Sequence, residues 1–159
     1  MAVRKIRIAL IEDSNTIRTF YKALFMKAGF DVLEADNAKK GWKIICDDKP
    51  DVIVLDMMMP EIPEIELLKR IRSFDFSKDI PVLVLTAVKE KDKIQEIFEY
   101  GADHYSLKGM DSPDLIRETV YGLLKKKSEK AVVKTLEKAN PLLGDSEPTE
   151  IDKHFFWFD

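Results

Sequence analysis

Short, almost wholly apolar runs alternate along the chain with longer segments of helical period. Three runs, Ile6 to Ile11, Val52 to Leu55 and Ile80 to Leu85, are rich in Val, Ile and Leu and too short for independent helices. Such runs suit strands buried on both faces, as in a parallel sheet. Two more polar stretches, Asp31 to Ala35 and Asp103 to Leu107, suit outer strands. Between them, apolar residues recur at three and four. Ile17, Phe20, Tyr21, Leu24, Phe25 and Ala28 form one stripe, stopped by Gly29. Ala38, Gly41, Trp42 and Ile45 form a second, ended by Lys49-Pro50. Leu67, Leu68 and Ile71 mark a third, and Ile94, Ile97 and Phe98 a fourth, stopped by Gly101. Leu115, Ile116, Val120, Leu123 and Leu124 mark a fifth, with Asp111 or Ser112 as N-cap and Pro113 in the first turn.

Five strand–helix pairs in strict alternation predict an α/β fold, a doubly wound parallel sheet with helices on both faces. A five-stranded sheet of this kind commonly has strand order 2-1-3-4-5. The predicted domain covers residues 1–127 and an extension covers 128–159. In the extension, Ala131, Val132, Val133, Leu136 and Ala139 continue the fifth helical pattern after an interruption at polar Lys125 to Lys130. Asn140-Pro141, Gly144 and Pro148 then break regular structure. His154-Phe155-Phe156-Trp157-Phe158-Asp159 concentrates apolar surface, which either folds back onto its own domain or docks on a partner or a second copy.

Composition narrows the function classes. A length of 159 residues fits one domain and an appendage. Lys plus Arg is 26 against 29 Asp plus Glu, a balance that argues against a generic nucleic-acid binder. The single cysteine, Cys46, excludes an intrachain disulfide and a cysteine-rich metal site, and reads as a buried helix residue. No apolar run approaches the roughly 20 residues that span a bilayer, and the run near the start is too brief for a signal-peptide core. The simplest expectation is a cytoplasmic protein.

In an open α/β sheet, ligands bind beyond the carboxyl ends of the strands. There the sequence places Glu12 and Asp13 after the first strand, Asp56 after the third, Thr86 at the end of the fourth and Lys108 after the fifth. Carboxylates about 4 Å apart repel by roughly 4 kcal/mol per pair at an effective dielectric of 20. A lysine and a hard divalent cation such as Mg²⁺ would offset that repulsion. A carboxylate such as Asp56 can attack phosphorus and form an aspartyl-phosphate, with Thr86 and Lys108 holding phosphoryl oxygens.

The chain resembles the receiver domain of bacterial two-component response regulators, over residues 6 to about 126. The resemblance rests on Ile11-Glu12-Asp13-Ser14, on Pro50-Asp51-Val52-Ile53-Val54-Leu55-Asp56-Met57-Met58-Met59-Pro60, on Val84-Leu85-Thr86-Ala87, on Gly101-Ala102-Asp103 and on Tyr105-Ser106-Leu107-Lys108. It implies a flavodoxin-like receiver fold. It also implies Asp56 as phosphoacceptor, with Glu12, Asp13, Asp56 and the Met58 carbonyl holding Mg²⁺. Thr86 and Tyr105 would be the switch pair, and Lys108 the phosphate-pairing lysine. The implied donor is a sensor histidine kinase or phosphotransfer protein, and the implied output is binding of a downstream protein. Readout, or homodimer formation, would use the fourth helix, fifth strand and fifth helix; the aromatic tail is the alternative route to a dimer.

Some positions depart from the family pattern. Many members carry Asp-Gly where this chain has Pro63-Glu64, so the turn there must differ. Most have proline after the lysine, where this chain has Gly109. Met58 and Val88 stand where the family tunes hydrolysis, and two apolar side chains predict slow attack by water. Asp13 or Ser14 would serve equally as a helix N-cap. His104 is expected to be exposed, and His154 has no metal-ligand spacing to a partner. Two competing readings are a phosphorylation-independent binding module and a Mg²⁺-dependent phosphatase with an aspartyl nucleophile. Against the phosphatase, position 58 carries Met rather than a second Asp.

Overall fold

A computed structural model describes residues 4–57, 63–110 and 112–139. The elements in chain order are β1 (Arg7–Ile11), α1 (Asn15–Lys27), β2 (Asp31–Ala35), α2 (Ala38–Asp48), β3 (Val52–Asp56), α3 (Pro63–Ser73), β4 (Val82–Thr86), α4 (Lys91–Glu99), β5 (His104–Leu107) and α5 (Pro113–Ala139). The strands form one parallel sheet in the order β2-β1-β3-β4-β5. The fold class read from the alternation and the strand order expected for sheets of this kind are both observed.

The period-two alternation along the strands divides the core into two layers. Ala9, Ile11, Ile53, Leu55, Val82 and Val84 face α2, α3 and α4 through Ile45, Leu67, Leu68, Ile71 and Ile97. Ile8, Leu10, Val52, Val54, Leu83 and Leu85 face α1 and α5 through Tyr21, Phe25, Ile116, Val120 and Leu123. β3 and β4 are buried along their whole length, whereas β2 and β5 are mostly half-exposed. Gly41 lets α2 sit directly on β1, because a Cβ at that position would come 2.6 Å from Ile11 Cδ1.

Three local features refine the sequence reading. Ile80 lies in the turn before β4, not in the strand; its N–H is bonded to the Ser77 carbonyl at 3.0 Å. Pro63 opens α3 and Glu64 follows within the helix, so neither of these two residues takes the positive φ that an Asp-Gly pair accommodates. α5 runs unbroken for 27 residues through the lysine-rich stretch where an interruption was expected. Lys, Glu, Ala and Leu are strong helix formers, so the polar stretch changes the helix's surface without ending it. Val132, Val133 and Leu136 are exposed along its last turns. Met58, Asp111 and the aromatic tail from His154 to Asp159 lie outside the described residues.

Candidate functional site

The strand ladder itself fixes the site residues. At the carboxyl edge the pairing runs one residue past each strand. Glu12 N–H donates to the Ala35 carbonyl at 3.0 Å, Met57 N–H to Leu85 at 3.1 Å and Lys108 N–H to Thr86 at 3.0 Å. Glu12 therefore stands level with Asp56 on the neighbouring strands β1 and β3, and Lys108 leaves β5, on the far side of β4, two residues beyond that level.

Carboxylate oxygens of Glu12, Asp13 and Asp56 lie within 4.8 Å of one another. Glu12 and Asp56 are buried and Asp13 is exposed. The Lys108 ammonium reaches in among them, 2.7 Å from Asp56 Oδ1 and 3.2 Å from Glu12 Oε2. Among the described residues, one ammonium thus bridges two of three clustered carboxylates. The consequence appears at Glu12. Burial, then the hydrogen bond and charge of Asp56, push its pKa up to about 7, although Lys108 and the Ser14 N–H pull the other way. Burial alone would lower the pKa of Lys108. Its hydrogen bonds and charge contacts with Asp56 and Glu12 outweigh that, and the net direction is upward.

Ser14, not Asp13, is the N-cap of α1: its Oγ accepts the Ile17 N–H at 3.3 Å. The Ser14 N–H also donates to Glu12 Oε1 at 3.1 Å, so the start of α1 aims Glu12 while Asp13 is left to the acidic cluster. Thr86 is fully buried, and its Oγ1 accepts the Val88 N–H at 3.0 Å. Tyr105 is half-buried, its ring edge-on to Phe98 at 5.9 Å and 82°. His104 is exposed as expected and stacks on Tyr105 at 6.3 Å. Cys46 is only half-buried rather than buried, because it sits at the flank of the α2 stripe next to Asp47. The structure therefore brings together Glu12, Asp13, Asp56 and Lys108, and sets Thr86 at the end of the strand beside Asp56.

Sequence reasoning missed the residues that support these. Arg18 Nη1 donates to the Glu12 carbonyl at 2.9 Å, and the Tyr21 hydroxyl accepts the Gly109 N–H at 2.9 Å. Arg18 carries no local sequence signal. Tyr21 read as one more member of an apolar stripe.

The response regulator receiver domain family matches residues 8–120. The chain is 35% identical over 122 residues to the sporulation initiation phosphotransferase F of Bacillus subtilis, covering 77% of this chain and 96% of that one. It is 36% identical over 109 residues to the phosphate regulon transcriptional regulatory protein PhoB of Pseudomonas aeruginosa, covering 69% of this chain but 48% of that one. The chain spans about half the length of that regulator. Among solved structures, the Francisella response regulator 1452 receiver domain is similar with a TM-score of 0.66 at 30% identity, over 76% of this chain and 98% of that one. The Vibrio cholerae chemotaxis protein CheY4 gives 0.69 at 25% identity, over 76% and 99%. A single parallel sheet in 2-1-3-4-5 order, an acidic cluster with a lysine at its carboxyl edge, and a family match across most of the sheet agree: this chain belongs to the response regulator receiver domains of two-component signalling.

Proposed function

We propose that the chain is a phosphorylation-controlled switch in which Asp56 accepts a phosphoryl group from a phosphohistidine on a sensor kinase or phosphotransfer protein. The observation that carries this reading is the Lys108 ammonium held 2.7 Å from Asp56 inside a cluster of three carboxylates. A carboxylate oxygen of Asp56 forms the new bond to phosphorus as the bond to the donor imidazole breaks. The departing ring nitrogen keeps the electron pair and takes a proton. Lys108 then has a phosphoryl group to pair with in place of a bare carboxylate.

The donor set fits Mg²⁺. It offers oxygen ligands only, it is rich in carboxylate, and exposed Asp13 leaves the ion its waters. Glu12, Asp13 and Asp56 would hold the ion, which supplies positive charge to the carboxylates and to the phosphoryl oxygens during transfer. The Met58 carbonyl remains part of this proposal, although it lies outside the described residues.

Thr86 and Tyr105 form the switch in this reading. The Thr86 hydroxyl accepts from Val88, which leaves its own hydrogen for a phosphoryl oxygen. Turning toward that oxygen vacates space behind it, and Tyr105 moves inward from its edge-on contact with Phe98. The readout is the face of α4, β5 and α5, where Phe98 and Leu115 are exposed. Phosphorylation biases two arrangements of this face and so selects a downstream protein.

Acetyl phosphate with Mg²⁺, followed by intact mass, tests the reading. The expected result is one phosphoryl adduct on the wild-type chain, absent from Asp56→Asn and absent with EDTA. No adduct, together with no response to beryllofluoride, would sink it.

A further inference from the structure

We propose that Tyr21 is a positioning residue for Lys108, acting through a hydrogen bond to the peptide that follows it. The proposal rests on the reading of Lys108 as the phosphoryl partner.

Tyr21 lies in α1 and is 2% exposed, between the rings of Phe20 and Phe25. A buried phenol needs a partner for its oxygen. That partner is the N–H of Gly109, at 2.9 Å, on the peptide that follows Lys108. Proline at this position has no N–H to donate and holds φ near −65°. Gly109 has φ +81°, in the region that favours glycine. Crowding does not explain the glycine: nothing lies within 4 Å of where a Cβ would be. The position needs glycine for its backbone angle, and the peptide that joins it to Lys108 is the one whose N–H meets the Tyr21 hydroxyl.

The lysine is thus gripped on both sides. Upstream, the sheet holds the Lys108 N–H on the Thr86 carbonyl at 3.0 Å. Downstream, Tyr21 holds the next peptide. Between these anchors the ammonium bridges Asp56 and Glu12. The same helix aims Glu12 from its N-cap through the Ser14 N–H. α1 therefore sets the direction of both the anion and the cation of the site.

Tyr21→Phe removes one oxygen and keeps the ring, so the core layer stays filled. The experiment uses the full chain and four proteins: wild type, Tyr21→Phe, Lys108→Ala and the double variant. The rate of adduct formation from acetyl phosphate is measured for each, with the melting temperature and the Gly109 amide and Lys108 Cε resonances of the unphosphorylated protein. The expected result is phosphorylation about three- to tenfold slower in Tyr21→Phe, the scale of one lost hydrogen bond. Both resonances move. In the Lys108→Ala background, removing the hydroxyl gives no further slowing, because its effect passes through the lysine. Equal slowing in both backgrounds, or a wild-type rate with unmoved Lys108 resonances, overturns the positioning role while the phosphoryl reading stands. No adduct on wild type, or full wild-type rate in Lys108→Ala, overturns that reading and this role with it.

Discussion

At the amino end of β4, Arg72 and Asp103 form one ion pair at 2.7 Å; beyond the carboxyl end, Lys108 bridges two of three clustered carboxylates. Each of the five N–H donors of Arg72 has an acceptor: the Gly101 carbonyl twice, the Lys78 and Ile80 carbonyls, and Asp103. Asp103 also takes the Val82 N–H at 2.8 Å. Charge is balanced within that pair and the polar groups of the arginine are satisfied, so the cluster joins α3, the turn before β4 and the entry to β5. At the other edge acid outnumbers base, and the excess is recorded in the raised pKa of Glu12. A balanced cluster holds a fold together. An unbalanced one is stabilised by whatever brings positive charge or removes negative charge, which makes it responsive.

The sharpest test of this contrast is to remove one partner from each cluster's ion pair. Asp56→Asn should lose all covalent phosphoryl uptake, read by intact mass. It should also raise the melting temperature at pH 8 without metal, because Glu12 no longer faces a second buried carboxylate and Lys108 keeps Glu12 at 3.2 Å. A fall in melting temperature would mean that the acidic edge is held together by its charges like the other one.

The opposite sign is expected at the amino edge. Arg72→Ala removes the arginine's hydrogen bonds from three backbone carbonyls and from Asp103 together, and leaves Asp103 only the Val82 N–H among these partners. The loss should be about 2–3 kcal/mol, the scale of a charge-assisted hydrogen bond left unmade. Urea denaturation measures it, and an effect under about 0.5 kcal/mol would place the pair among ordinary surface ion pairs.

A pH titration separates the clusters by a smaller effect. The folded pKa of Glu12 is about 7, against an ordinary 4.5 in the unfolded chain. Between those values the folded state binds more protons, so stability falls as pH rises through the window and levels above it. Lys108 shifts upward from 10.5 and its contribution is lost only at higher pH, outside the window. Metal-free protein melted between pH 4.5 and 8 should show the decline, and Glu12→Gln should flatten it. Mg²⁺ needs the ionised carboxylate, so its affinity should rise across the same window.

The contrast also explains what the sequence made legible. The sheet followed from hydrophobic period, because β1, β3 and β4 are buried on both faces and only apolar residues fit there. The candidate site residues followed from topology, because the ends of parallel strands share one edge. Arg72 could not be found this way. Its acceptors are mostly backbone carbonyls, which have no residue signature, and it looks like any charged residue near a helix end. Tyr21 was hidden for a related reason: its ring belongs to the apolar stripe and only its oxygen reaches the site. The unbroken run of α5 was hidden because helical propensity carries the chain through charged residues that a reading by apolar stripe treats as a gap.

The smallest expected effect concerns a third ion pair, Lys134–Asp79 at 3.5 Å, which ties the far end of α5 to the turn before β4. Both side chains are more than half exposed, and among the described residues neither makes a hydrogen bond to another side chain or to the backbone beyond this contact. It lacks the closure of the Arg72 cluster and the imbalance of the acidic edge. Lys134→Ala should therefore change stability by less than about 0.5 kcal/mol, and the difference should vanish in 0.5 M salt. Measured beside Arg72→Ala under the same conditions, it asks whether a lysine or arginine near an aspartate is enough. A loss comparable to that of Arg72→Ala would show that proximity of charge, rather than satisfaction of every donor, sets the worth of these pairs, and the contrast between the two edges would have to be drawn on burial alone.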